Sequence, residues 1–112
     1  MTRVAAIDCG TNTIRLLVAE AHRDDSGRPR LEVLRRRNEI VRLGQGVDRT
    51  GLLDPEALER TLAAVASYAA DCAELGVAPG GDVRRFVATS ATRDARNRED
   101  FVAGVRRLLG IE

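Results

Sequence analysis

Val4-Ala5-Ala6-Ile7-Asp8-Cys9-Gly10-Thr11-Asn12-Thr13-Ile14-Arg15-Leu16-Leu17 is the stretch that decides the fold, because two apolar runs flank a turn too short to hold a helix. Val4 to Cys9 reads as a short, largely buried strand, and Asp8 to Thr13 as a turn rich in Gly, Asn and hydroxyls. The strand pattern resumes over Ile14 to Ala21, which makes a first hairpin. Ala21 to Arg30 is polar, with Gly27 and Pro29, and predicts a second, mobile hairpin loop containing His22. Leu31 to Leu43 predicts a third strand, interrupted by Arg35-Arg36-Arg37-Asn38-Glu39, that runs into a turn near Gly44.

From Asp54 the period changes. Leu58, Leu62, Val65, Ala69 and Cys72 recur at helical spacing, with Asp54 as N-cap, Pro55 at the first position and Gly76 at the end. Val83 to Thr89 is expected as a fourth strand, and Asn97 as the cap of a last helix with Phe101, Val105, Leu108 and Leu109 on one face. The order β-β-β-α-β-α predicts an α/β fold with a mixed sheet, antiparallel in its first three strands and parallel where the helix crosses over.

The 112 residues suit one domain or part of a larger one, with 44% hydrophobic and 31% charged residues. Eighteen basic residues, all Arg, against seventeen acidic leave a net charge of +1, so no global field holds nucleic acid or an anionic membrane. The absence of Lys removes Schiff-base and P-loop lysine chemistry. Aromatics at 3% supply no stacking platform for single strands, and Cys9, Cys72 and the lone His22 do not assemble a zinc site. With no charged leader or long apolar run at the start, a cytoplasmic protein with reduced thiols is expected.

Chemistry concentrates in two turns. In Asp8 to Thr13, small residues let backbone amides converge on an anion, Asn12 and Thr13 add donors, and Asp8 could hold a hydrated divalent cation. The same residues also suit a plain hairpin turn. Ala88-Thr89-Ser90-Ala91-Thr92-Arg93-Asp94-Ala95-Arg96-Asn97 leaves a strand for a helical turn, where hydroxyls, amides and Arg93 can take phosphate. The alternative is a simple cap with solvated Arg93 and Arg96. Both turns lie at strand carboxyl ends, where α/β sheets collect ligands. Arg42-Leu43-Gly44-Gln45-Gly46 reads first as a structural turn and second as a completion of the anion pocket. Arg35 to Arg37 read as a solvated strand face.

The opening stretch, followed at this spacing by Arg42-Leu43-Gly44 and Ala88 to Asn97, resembles the exopolyphosphatase and guanosine pentaphosphate phosphohydrolase family. The resemblance implies a ribonuclease H-like sheet of the actin-like ATPase superfamily and Mg²⁺-dependent hydrolysis of a terminal phosphoanhydride with release of orthophosphate. It implies inorganic polyphosphate or guanosine pentaphosphate as substrate, and assigns Asp8 to Mg²⁺ and Gly10, Thr11, Asn12, Thr13, Ser90 and Arg93 to phosphate. The family's catalytic Glu and second phosphate loop would lie beyond Glu112. Residues 1–112 are therefore expected to be the N-terminal part of an incomplete first lobe, inactive alone, with an unpaired sheet edge that favours a homodimer. A non-catalytic polyphosphate or alarmone-binding module and a kinase or ATPase of the same superfamily remain as alternatives.

Overall fold

The computed structural model describes residues 2–111; the side chains of Asp48, Ser90 and Ala91 lie outside the description. Strands β1 (Thr2–Cys9), β2 (Thr13–Arg23) and β3 (Pro29–Ile40) form an antiparallel meander. Helices α1 (Val47–Thr50) and α2 (Pro55–Glu74) lead to β4 (Arg84–Ala88), then α3 (Ser90–Asp94) and α4 (Arg98–Leu109). β4 runs parallel to β1, giving the sheet order β3-β2-β1-β4. The mixed sheet matches the expected order; α3 is the helical turn expected after the fourth strand, and α1 is an additional short helix. At four and five residues, α1 and α3 span barely more than a turn and leave no period to read.

Alternation along the strands sets the packing. Ala5, Ile7 and Cys9 of β1 and Ile14, Leu16 and Val18 of β2 are buried beneath the helices, whereas Asp8 and Arg15 are exposed on the other face. A register shift between Val18 and Ala19 follows this run. α2 buries Ala57, Thr61, Ala64, Val65, Tyr68 and Cys72, a stripe turned slightly from the expected one, with Leu58, Leu62 and Ala69 on its flank. Asp54 caps α2 as expected, accepting from Ala57 N at 3.1 Å. Tyr68, fully buried, donates its hydroxyl to Ile14 O at 3.1 Å and so ties α2 to the first residues after the β1–β2 turn. Burial pushes that hydroxyl up to about 12.

Several expectations need correction. His22 lies within β2, not in the hairpin loop, which narrows to Asp24–Arg28. Asn97 stands at the start of α4 but does not cap it; Oδ1 accepts from Leu53 N at 2.8 Å and Nδ2 donates to Leu53 O at 3.0 Å. Its amide pairs with the Leu53 backbone and is thereby removed from the helix end.

Arg35 and Arg37 are not a solvated face either. Their register opposite Val18 and Leu16 turns them toward α2, where Arg35 Nη1 meets Asp71 Oδ1 at 2.8 Å and Arg37 Nη1 meets Asp71 Oδ2 at 2.6 Å. The Arg37 guanidinium also lies 5.0 Å from the Tyr68 ring centroid. Only Arg36 of the triplet is exposed. Burial alone would raise the Asp71 carboxyl, but hydrogen bonds from Arg37 and Arg35 outweigh it and hold the group below the usual carboxylate range.

The segment after β3 packs on the β1–β2 turn. Gly44 N donates to Thr11 O at 2.9 Å, and a Cβ at position 44 would meet Thr11 Cγ2 at 2.2 Å. With threonine at position 11, a side chain at position 44 would have to displace that methyl.

Two outcomes follow from this packing. Asp71→Asn should lower stability by about 1–3 kcal/mol at pH 7. Because the folded carboxyl titrates below its unfolded value of about 3.9, the difference from wild type should persist above that pH and vanish as pH falls through the lowered folded value. Thermal melts from pH 7 to pH 2 measure it; a difference that stays constant across the range would remove Asp71 from the account. Gly44→Ala should cost about 1–3 kcal/mol through overpacking. Thr11→Ser, which deletes the clashing methyl and keeps the hydroxyl, should recover most of it in the double variant, as denaturant titration of the four proteins would show.

Candidate functional site

The parallel register Asp8↔Val87 and Cys9↔Ala88 ends β1 and β4 side by side. Beyond it, Thr89 N donates to Cys9 O at 3.1 Å, so the chain leaving β4 starts beside Gly10. The two turns singled out from the sequence therefore share one edge of the sheet.

A ring of hydrogen bonds closes around that edge. Gly10 N donates to Thr13 O at 2.8 Å, which tightens the first turn. Asn12 O accepts from Val41 N at 2.8 Å and Arg42 N at 3.0 Å, fastening the turn after β3 to it. Arg60 of α2 donates to Val41 O and Gln45 Oε1, each at 3.2 Å. Past α1, Arg96 N reaches Gly51 O at 2.9 Å and Arg96 Nη2 reaches Thr50 O at 2.7 Å; the Asn97–Leu53 pair follows directly. Arg96 is exposed, as the solvated reading has it, and is also a backbone clamp that joins the α3–α4 link to the α1–α2 link.

Within the ring, Thr11 and Asn12 are exposed, and their N–H groups meet no backbone acceptor among the described residues. Thr13 opens β2 opposite Ile40 and is half-buried. Thr89 Oγ1 is buried without a hydrogen-bond partner among the described residues, although Thr89 stands at the N-cap of α3. A buried hydroxyl left unpaired costs free energy unless something else bonds it.

Ser90 begins α3, and its side chain falls outside the described residues. Arg93 is exposed in the last turn of α3 and borders a groove of about 570 Å³, lined by Phe86, Ala88, Phe101 and Val105. Among the described residues its guanidinium makes no hydrogen bond to the first turn, so the shared edge is joined through backbone at Thr89 and not through Arg93.

Asp8 is exposed at the end of β1 and lines a shallow depression of about 520 Å³ on the open sheet face with Arg15, Arg36 and Asn38. Arg15, opposite Asp8 in register, is a neighbour that the linear sequence did not single out; strand alternation supplied the signal. Among the described residues no group of three metal-ligating side chains occurs. Asp8 offers a single carboxylate, with Asn38 as the other oxygen-bearing side chain lining the depression, and a Mg²⁺ ion that retains waters and takes its remaining ligands from phosphate needs little more from the protein.

Cys9, next to Asp8 in sequence, points into the core. Burial, with Asp8 nearby, pushes its thiol up to about 12, which makes it a poor nucleophile at neutral pH. Cys9 and Cys72 are both buried and free of a disulfide.

The same arrangement recurs in known proteins. The chain is 49% identical over 110 residues to "Exopolyphosphatase 2" of Mycobacterium tuberculosis, covering 98% of this chain and 33% of that protein. The solved structure of the Aquifex aeolicus Ppx/GppA family member matches with a TM-score of 0.79 at 33% identity, covering 99% of this chain and 34% of that one. An exopolyphosphatase-like protein of known structure matches at 0.81 and 45% identity, covering 99% and 31%. The chain spans about a third of the length of these relatives. The shared mixed sheet, with its actin-like, ribonuclease H-like topology, agrees with the fold expected from the opening motif. A model of the Ppx/GppA phosphatase family also matches residues 18–112, and the chain belongs to that family.

Proposed function

We propose that the edge formed by Gly10–Thr13 and Thr89–Arg93 binds the terminal phosphates of a linear polyphosphate within a Mg²⁺-dependent exopolyphosphatase. The observation that carries this reading is the Thr89 N to Cys9 O bond at 3.1 Å, which sets the two turns side by side at the carboxyl ends of parallel strands. The exposed amides of Thr11 and Asn12, and the unpaired Thr89 hydroxyl, are the donors that an anion would use. Since α3 has only five residues, its dipole adds little, and the backbone donors and Arg93 bear the task.

Asp8 would hold the Mg²⁺, whose chemistry when bound is to neutralise charge on phosphoryl oxygens. Asp8 contributes by keeping a fixed negative charge at the mouth of the turn. Backbone amides and Arg93 orient the phosphate and bear the charge that accumulates on it. Cys9 stays protonated and takes no part. Guanosine pentaphosphate is a second substrate of the same anionic class. Support for polyphosphate comes from the exopolyphosphatase relative, at 49% identity.

Arg93→Ala should weaken polyphosphate binding by about tenfold, whereas Arg28→Ala, exposed in the β2–β3 loop, should change it little. Titration of both variants at fixed ionic strength measures this, and equal losses would reduce the interaction to general electrostatics. In the full-length protein, Asp8→Asn should depress Mg²⁺-dependent phosphate release and raise the Mg²⁺ needed for half-maximal rate, without altering the melting temperature. Unchanged metal dependence would leave Asp8 as a turn residue. Binding without phosphate release in the wild-type protein would assign the edge to a sensor and not to an enzyme.

A further inference from the structure

Arg42 has φ 51°, and every other residue of positive φ among the described ones is glycine: Gly27, Gly46, Gly51, Gly76, Gly80 and Gly110. A non-glycine residue in the left-handed region carries strain that persists only where the surroundings impose it, and such residues collect at functional sites. The surroundings here are explicit. Arg42 N is tied to Asn12 O at 3.0 Å, Arg42 O accepts from Gln45 N at 3.1 Å, and Arg60 holds Val41 O at 3.2 Å. These bonds dictate the backbone conformation but not the side chain. Glycine, or asparagine, would satisfy the turn without strain.

The position explains the choice of side chain. The first turn is flanked on one side by Thr89, through Cys9 O, and on the other by Arg42, through Asn12 O. Arg42 is exposed, so its guanidinium is open to solvent on the flank away from α3. Thr89 leads into α3, which carries Arg93, on one flank of the turn, and Arg42 provides a cation on the other.

We infer that Arg42 is a specificity-determining contact for a chain of phosphates, gripping a phosphate beyond the terminal one on the flank opposite Arg93. This rests on the polyphosphate reading of the edge. A single orthophosphate would fill the turn without reaching both arginines, whereas a linear polyanion would span them. Guanidinium is suited to that contact because it presents a planar fork to phosphate oxygens.

The test compares wild type, Arg42→Gly, Arg42→Lys and Arg93→Ala of the full chain, titrated with long-chain inorganic polyphosphate and with orthophosphate, with thermal melts alongside. Arg42→Gly should lose about tenfold in affinity for long-chain polyphosphate at low salt, with the loss shrinking as salt rises. Orthophosphate binding should hardly move, and the melting temperature should hold or rise because the strain is relieved. Arg42→Lys, which keeps the charge without the fork, should retain an intermediate affinity. If Arg42→Gly binds long-chain polyphosphate as tightly as wild type while Arg93→Ala is weakened, Arg42 is a turn residue and the inference is overturned alone. If wild type binds no polyphosphate, or Arg93→Ala binds it unchanged, the reading of the edge falls and the inference falls with it.

Discussion

The pairing of β4 alongside β1 in parallel register is the constraint on which the rest of the structure depends. Parallel neighbours cannot be joined by a tight turn, so the chain must cross over, and α2 spans that crossing. The helix then needs an apolar surface beneath it, which Ile7, Cys9, Ile14 and Leu16 provide. The same pairing ends both strands at one level and sets Gly10 beside Thr89. Fold and site are therefore consequences of one ladder of hydrogen bonds.

Arginine carries out three separate structural tasks in this lysine-free chain. Arg35 and Arg37 pair with Asp71 across the sheet-to-helix seam, Arg60 and Arg96 hold turn carbonyls, and Arg84 is buried with its guanidinium on Val77 O at 2.7 Å and Leu109 O at 3.1 Å. Arg42, beside the first turn, and Arg93, in the last turn of α3, are exposed. The planar, multidonor guanidinium makes this range possible, since one group can satisfy several carbonyls whose partners a helix or strand end leaves missing. Net charge alone conceals it: +1 for the whole chain says nothing of how its arginines are placed.

The outer strands manage their exposed edges differently. β3 is lined with charge, from Arg30 through Glu39, which discourages pairing with another chain although Leu31 and Val33 are exposed. β4 runs along the apolar groove bordered by Phe86, Phe101 and Val105. Phe86 and Phe101 meet edge to face there, with ring centroids 5.8 Å apart, and so tie β4 to α4.

Local pattern determined the elements of this protein. The alternation around Asp8 to Thr13, the period from Leu58 to Cys72 and the Asp54-Pro55 start each state a backbone conformation that neighbouring residues enforce, and the mixed sheet and α2 follow from them. The two candidate turns were legible for the same reason, as small and hydroxyl-bearing residues at strand ends. Tertiary structure decided the facing of side chains and the partners of polar groups. Asn97 has the composition of a cap, yet Leu53, far away in sequence, offers it two bonds instead of one. Arg35 and Arg37 have the composition of a solvated strand, yet register across β2 aims them at Asp71. Arg42 was one residue of an ordinary turn until Asn12 O fixed its backbone in the left-handed region. Hydrogen bonds between distant segments leave no period in the sequence, because each depends on where two separate elements come to rest against the same core.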